Sequence, residues 1–333
     1  MKINGLWLIL AAFTGCAIDA PGEYKFLPDE DDVALLHSGR YISHSSTELV
    51  FESEVVVLNS FYQGFNNDYL NAKNFEIKGN GTYTIESFEG LQLTGVAKRS
   101  SLVFIMDQSG SYESIDPYNS RSQAINKFLQ DIVQPNKFLV GASARQGMLT
   151  LEPLEVFTTE FGNDWRGNSA YLFELSQRTG GLNSILDAAD QAIELLITNT
   201  EPIRRDLILM VHANDESSTT TLESLILKAK NKAVTIHVIS LGTELNTAVF
   251  AQLSQETGGL FAACATNKQL IKVFRELERL INRETFVYKM RIRFKPVPNM
   301  LQPGSGSVHQ IHIQDEFLDK PYNPVYLKIT IPS

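Results

Sequence analysis

Cysteine is almost missing from this chain of 333 residues: it has two, Cys16 and Cys264. Long apolar runs are also scarce. The longest, residues 6–13, is eight residues long and too short to cross a bilayer. Positive charge is in deficit: 29 Lys and Arg stand against 38 Asp and Glu, a formal net charge of -9. With no run of basic residues, the chain is expected to bind neither nucleic acid nor an anionic membrane surface by charge alone. Signatures of common enzyme chemistries are absent too. There is no GxSxG, HExxH or GxxxxGK[ST] string, and Asp107 is followed two residues on by Ser109 rather than by a second acid. The histidines at 212, 237, 309 and 312 are scattered. His309 and His312, three apart in an expected strand, face opposite sides and read as surface residues. Catalysis has no visible machinery, so the chain is read as a non-enzyme.

What is present begins with "MKINGLWLILAAFTGC", which has one lysine, an apolar core and small residues, the pattern of a secretory signal peptide. Phe13-Thr14-Gly15-Cys16 resembles the bacterial lipobox. That resemblance implies removal of residues 1–15, acylation of Cys16 and a lipid-anchored lipoprotein of the cell envelope, at the outer membrane or cell surface. The other reading is a plain signal peptide with an incidental cysteine. With Cys16 as the anchor, Cys264 has no partner for an internal disulfide. In "GGLFAACAT" it reads as a small buried hydrophobe rather than a nucleophile.

Length and a 43% hydrophobic composition suit one large globular domain with a smaller companion. Residues 16–38 read as an acidic spacer with two prolines. Residues 39–98 read as β-rich, with "KGNGT" as a hairpin loop between alternating strands. Residues 99–284 alternate between strands (101–106, 147–157, 207–211, 234–240 and 260–263) and amphipathic helices. In "NSILDAADQAIELLITN", Ile185, Ala189, Ala192, Ile193 and Leu196 fall on one stripe. This alternation predicts an open α/β domain, a doubly wound, mostly parallel sheet with helices on both faces. Residues 285–333 return to β. In "TFVYKMRIRFKP" apolar residues alternate with Lys289, Arg291, Arg293 and Lys295, so one face is buried and the other is basic and wet. The two β flanks are expected to meet as a sandwich beside the α/β domain.

In such a sheet, ligands bind where the carboxyl ends of the strands meet the following loops. "SLVFIMDQSGSYES" places Asp107, Ser109 and Ser111 there. A catalytic aspartate, a metal cradle and an ordinary polar turn all fit the string. One carboxylate plus two hydroxyls suits a hard cation such as Mg²⁺.

The apolar strand running into Asp107-Gln108-Ser109-Gly110-Ser111, then "GGLNSILDAADQAIELL", "VTIHVISLG" and "LSQETGGLFAA", in that order and spacing, resemble the von Willebrand factor type A domain family over residues 99–283. The resemblance implies a metal-ion-dependent adhesion site, with Mg²⁺ (or Mn²⁺ or Ca²⁺) held by Asp107, Ser109 and Ser111. Asn183 falls at the position of the family's second-loop threonine, with Ser184 as a fallback; alternatively Asn183 only caps its helix. In "DLILMVHANDESS" the third-loop acid position holds Ala213 and its threonine position holds His212. Asp215, two residues on, substitutes as ligand if the strand end bulges and is otherwise a solvated loop acid; a site with one carboxylate fewer should hold its ion more weakly. The ion would leave one position for an acidic side chain of a protein partner. Tyr112, Glu113, Asp116, Tyr118, Phe161, Trp165 and Arg166 are the expected rim, since exposed aromatics and arginine are common interface anchors; the alternative for each is ordinary loop packing. The alternative function is a metal-independent scaffold or assembly subunit of the envelope.

Overall fold

The computed structural model describes residues 34–58, 70–92, 100–110, 112–116, 119–131, 137–143, 154–156, 161–162, 164–176, 180, 184–198, 204–212, 215, 217–241, 247–264, 267–282, 286–297, 301, 304, 306–313 and 325–331. Cys16, the expected signal segment and most of the expected spacer lie outside these residues. The chain opens with β1 (Ala34–His44), β2 (Leu49–Leu58), β3 (Phe75–Lys78) and β4 (Gly81–Gln92). The alternating block has β5 (Ser100–Asp107), α1 (Tyr112–Ile115), α2 (Ser120–Asp131), β6 (Lys137–Ser143), β7 (Leu154–Val156), α3 (Trp165–Ser176) and α4 (Ile185–Thr198). It continues with β8 (Arg204–Val211), α5 (Leu222–Asn231), β9 (Val234–Leu241), α6 (Thr247–Glu256), β10 (Phe261–Cys264) and α7 (Asn267–Asn282). Last come β11 (Phe286–Pro296), β12 (Gly306–Ile313) and β13 (Val325–Thr330).

β5 shows why this block forms. All eight of its residues are buried. Leu102, Phe104 and Met106 face one core with α2 and α7, while Val103 and Ile105 face the other with α4, α5 and α6. A strand covered on both faces has no wet side, hence the unbroken apolar run. Each fully buried Leu, Ile or Phe contributes about 1.5–3 kcal/mol. The stripe expected on α4 is the one that packs: Ile185, Ala189, Ala192, Ile193 and Leu196 are all buried. Cys264 is buried in the first of the two cores, as its apolar surroundings predict.

Among the described residues, ten strands join one sheet in the order β4-β11-β2-β1-β10-β9-β8-β5-β6-β7. From β10 to β6 the neighbours are parallel. β5 lies between β6 and β8, so the order reverses there and Asp107 ends a strand at the switch point, where α/β folds bind ligands. β6 was not foreseen. Its sequence, "KFLVGAS", is short and broken by glycine. Of the strand expected at 147–157, Leu154–Val156 is β7, and residues 147–153 and 157 lie outside the described ones.

The β flanks from both chain ends do meet, since β11 pairs with β2 and β4, and β12 with β3. They are not a separate body beside the α/β sheet. β1 runs antiparallel to β10 and fuses the flank into the same sheet. This strand starts at Ala34, inside the expected spacer. The expected hairpin at "KGNGT" is also corrected: β3 pairs with β12 in a second, three-stranded sheet while β4 pairs with β11 in the large one. The turn is a corner between sheets. The aromatic and aliphatic residues of β2, β11, β12 and β13 fill the space between them.

His309 is the second correction in this region. It is fully buried, not a surface residue. Its ring stacks on Phe51 and meets Phe294 edge-on. Tyr83 Oη lies 2.9 Å from Nδ1 and Ser307 Oγ lies 2.7 Å from Nε2, so a neutral imidazole uses both nitrogens. Burial depresses its pKa to about 3, against about 6.5 in an unfolded chain. Between those values the unfolded state takes up a proton that the folded state refuses. Stability must therefore fall as pH drops below 6.5, by up to about 1.4 kcal/mol per pH unit. His309→Gln should remove about one proton's worth of that slope between pH 6 and pH 4, read from urea midpoints. An unchanged slope would assign the acid sensitivity elsewhere.

Candidate metal centre

β5 delivers Asp107 to the carboxyl end of the parallel strands with its side chain fully buried. Oδ1 accepts the Ser109 N–H at 2.8 Å, an Asx-type turn that folds the loop back onto the acid. Oδ2 accepts the His212 N–H from the end of β8 at 3.3 Å. Ser109 is buried beside it, and its hydroxyl also bonds the carboxylate. Burial pushes the Asp107 carboxyl up from its ordinary range, while the bonds from Ser109 and His212 and the nearby Arg121 charge pull the other way.

Behind the turn sits Arg121, on α2 and almost fully buried. Its Nη1 donates to the Asp107 carbonyl at 2.7 Å and to Gln108 Oε1 at 3.0 Å. Its Nε donates to Asp116 Oδ2 at 2.9 Å, and its guanidinium lies 3.5 Å from the centre of the Tyr112 ring. Asp116 also accepts the N–H groups of Ser120 at 2.7 Å and Arg121 at 3.0 Å, capping α2. Gly180 N–H closes onto the Gln108 carbonyl at 2.9 Å. The loop is thus held in shape by protein groups. His212 is fixed by its ring as well: Nδ1 lies 2.6 Å from the Leu241 carbonyl, which can only accept, so Nδ1 carries the proton.

Two expected rim residues are overturned. Tyr112 and Asp116 are buried, not exposed, because the Arg121 cation draws the phenyl face and the carboxylate inward. Among the described residues the Tyr112 hydroxyl has no hydrogen-bond partner at bonding geometry. Trp165 is half-buried against the α2 side and Arg166 is exposed, its guanidinium 5.0 Å from the Trp165 ring centre. Phe161 packs against the α4 side. Glu113 lies in α1, and its side chain is outside the described ones. Ser111, Tyr118, Asn183 and Ala213 lie outside the described residues.

Asp215 is half-buried, and its Oδ1 accepts from Ser218 Oγ at 2.9 Å. Burial raises its pKa, with bonds from Ser218 and the Ile185 N–H opposing and the Asp187 charge adding to the rise. Its loop is clipped to the start of α4. Ser218 Oγ accepts the Asp187 N–H at 2.9 Å, and the Asp187 carboxylate accepts the N–H groups of Thr219 and Thr220. Asp215 therefore serves the α4 N-terminus, where carboxylates are favoured.

Among the described residues, no three His, Cys, Asp or Glu side chains converge as a metal site. The donors beside Asp107 are hydroxyl and carboxylate oxygens, the set a hard cation takes. The Arg121 charge is committed to Asp116. On the chemistry of that donor set, a buried carboxylate with a hydroxyl oxygen beside it, the site fits a divalent ion. The residue sequence reasoning missed is Arg121; its only signal was a lone arginine at a helix start, five positions after an acid.

Residues 100–263 match the family model of the von Willebrand factor type A domain, and the chain carries a domain of that family. Such domains commonly mediate protein interactions and adhesion, often with a divalent metal. Among solved structures it resembles a von Willebrand factor type A protein from Catenulispora acidiphila at 10% identity and TM-score 0.48, over 92% of this chain and 76% of that one. It resembles proximal thread matrix protein 1 from the mussel byssus, with a zinc-occupied MIDAS motif, at 14% identity and TM-score 0.47, over 62% of this chain and 50% of that one. The open form of the pilus adhesin SpaC from Lactobacillus rhamnosus GG aligns at 10% identity and TM-score 0.44, over 94% of this chain and 49% of that one. No curated protein matches the chain. No helix among the described residues is long and apolar enough to cross a membrane.

Proposed function

We propose that this protein binds a protein partner at the Asp107 end of its central sheet and is held in the cell envelope by a lipid on Cys16. It acts by capture, not catalysis. Support comes from one observation above the rest: a fully buried carboxylate, Asp107, ends the strand at the switch point with Ser109 folded against it. Asp107, Ser109 and Ser111 would hold a Mg²⁺, Mn²⁺ or Ca²⁺ ion, with Asn183 and Asp215 as further candidate donors. When bound, the ion supplies an open coordination position that a partner's Asp or Glu can take. The chain's own residues do the rest. Arg121 and Gln108 fix the turn, and the Ser109 hydroxyl orients the Asp107 carboxylate. Trp165 and Arg166 remain as accessible rim contacts.

A second reading, a metal-independent scaffold, is favoured by the same Arg121 contacts, because they shape the turn without an ion. Melting with Mg²⁺ against EDTA separates the two. An ion at ten times its Kd stabilises by about 1.4 kcal/mol, a few degrees in Tm. Ser109→Ala should abolish that shift and leave the EDTA melt within about 1 kcal/mol of wild type. No shift at millimolar ion would favour the scaffold.

A further inference from the structure

A cleft of about 280 Å³ lies far along the sheet, where β1, β13 and the ends of α5 and α6 converge. Its wall carries three cations, Arg40, Lys230 and Lys328, against one carboxylate, Glu256. In a chain of net charge -9 this local excess is unusual. Lys230 is paired with Glu256, and Arg40 bonds Glu52 through Nε and Nη2, which leaves its Nη1 donors unspent among the described residues. Glu52 is further shared with Lys289. Among the described residues no ion pair holds the Lys328 ammonium, and its backbone N–H donates to Gln255 Oε1 at 3.1 Å. The Thr330 hydroxyl accepts from Gln252 Nε2 at 3.2 Å and keeps its own proton to donate.

Acceptors are few by comparison. The carbonyls at the end of α6 would oppose an anion, but they are already taken. Leu253 accepts from the Thr257 hydroxyl at 2.9 Å, Ser254 from Gly259 N–H at 2.7 Å, and Gln255 from Gly258 N–H at 3.1 Å. A cleft rich in charged donors and poor in acceptors complements an acceptor-only group carrying more than one negative charge. Its volume equals about nine waters at ~30 Å³ each, the size of a small molecule or one acidic chain end.

We infer that this cleft binds a compact polyanion bearing carboxylate or phosphate groups, with Lys328 and Arg40 as its main contacts. Lys230 and Glu256 come from the helices of the alternating block, and Arg40 and Lys328 from the flanking strands, so the bound anion would bridge the two. The site is independent of Asp107.

Calorimetric titration of the full chain with citrate and with pyrophosphate, in EDTA at matched ionic strength, tests this and separates carboxylate from phosphate. At least one anion should bind, and Lys328→Glu should weaken it tenfold or more, as the loss of charge-assisted bonds requires. Arg40→Ala should weaken it less. Lys295→Glu, the same charge change outside the cleft, should leave it unchanged, and so should Ser109→Ala. Absence of heat with both anions overturns the inference, as does equal weakening by Lys295→Glu, which would mark a general charge effect.

Discussion

Arg121→Met should cost about 3–5 kcal/mol of folding stability, far more than a typical substitution. The side chain is almost fully buried, and its ion-pair partner Asp116 is more so. Removing the guanidinium leaves that carboxylate buried with, among the described residues, only the backbone N–H groups of positions 120 and 121 to hold it. The Asp107 carbonyl and Gln108 Oε1 lose the Arg121 donor in the same stroke. Arg121→Lys keeps the charge but not the planar fork that reaches three acceptors, so its cost should fall between wild type and Met. Adding Asp116→Asn to the Met variant should recover part of the loss, because it removes the uncompensated charge. Urea unfolding of the four proteins measures each value. A loss below 1 kcal/mol in the Met variant would mean that the pair does not anchor the turn.

That prediction rests on residues the sequence presents misleadingly. "YESIDPYNSR" looks like a polar loop, so Tyr112 and Asp116 read as exposed rim. Nothing in their spacing shows that Arg121, once α2 forms, turns back and buries both. Local patterns were far more legible. The two-faced apolar run of β5, the stripe on α4 and the alternation of β11 each depend on neighbours two to four residues apart. On β11 the wet face predicted for Lys289, Arg291, Arg293 and Lys295 is the face that pairs with Glu48, Glu52 and Glu86. Pairings between distant segments were not legible. β1 pairs on one side with its neighbour β2 but on the other with β10, more than two hundred residues away, and β3 leaves its sequence neighbour for β12. Burial of His309 has the same origin, since the rings that enclose it come from β2, β4 and β11.

The glycine pair after α6 carries the second large effect. Gly258 sits at φ 76°, the left-handed conformation that ends a helix and that glycine adopts without strain. Gly259 has a different task. A Cβ there would lie 1.9 Å from the Ile236 carbonyl oxygen and 2.6 Å from its carbon, inside the backbone of β9. No side chain can swing aside to make room. The approach is close because Gly259 N–H caps Ser254 and Leu260 O then bonds Val238, setting β10 beside β9 in register. Gly259→Ala should therefore cost about 3 kcal/mol or more, by the overpacking that a rigid neighbour cannot relieve. The damage should centre on β10, the strand through which β1 and the flanking sheet join the α/β block. Hydrogen exchange of the variant should show protection lost first at Phe261, Ala262 and Ala263, with β5 and Asp107 keeping theirs. Uniform loss across both halves of the sheet would mean that β10 is no separate hinge point and that the two parts unfold as one.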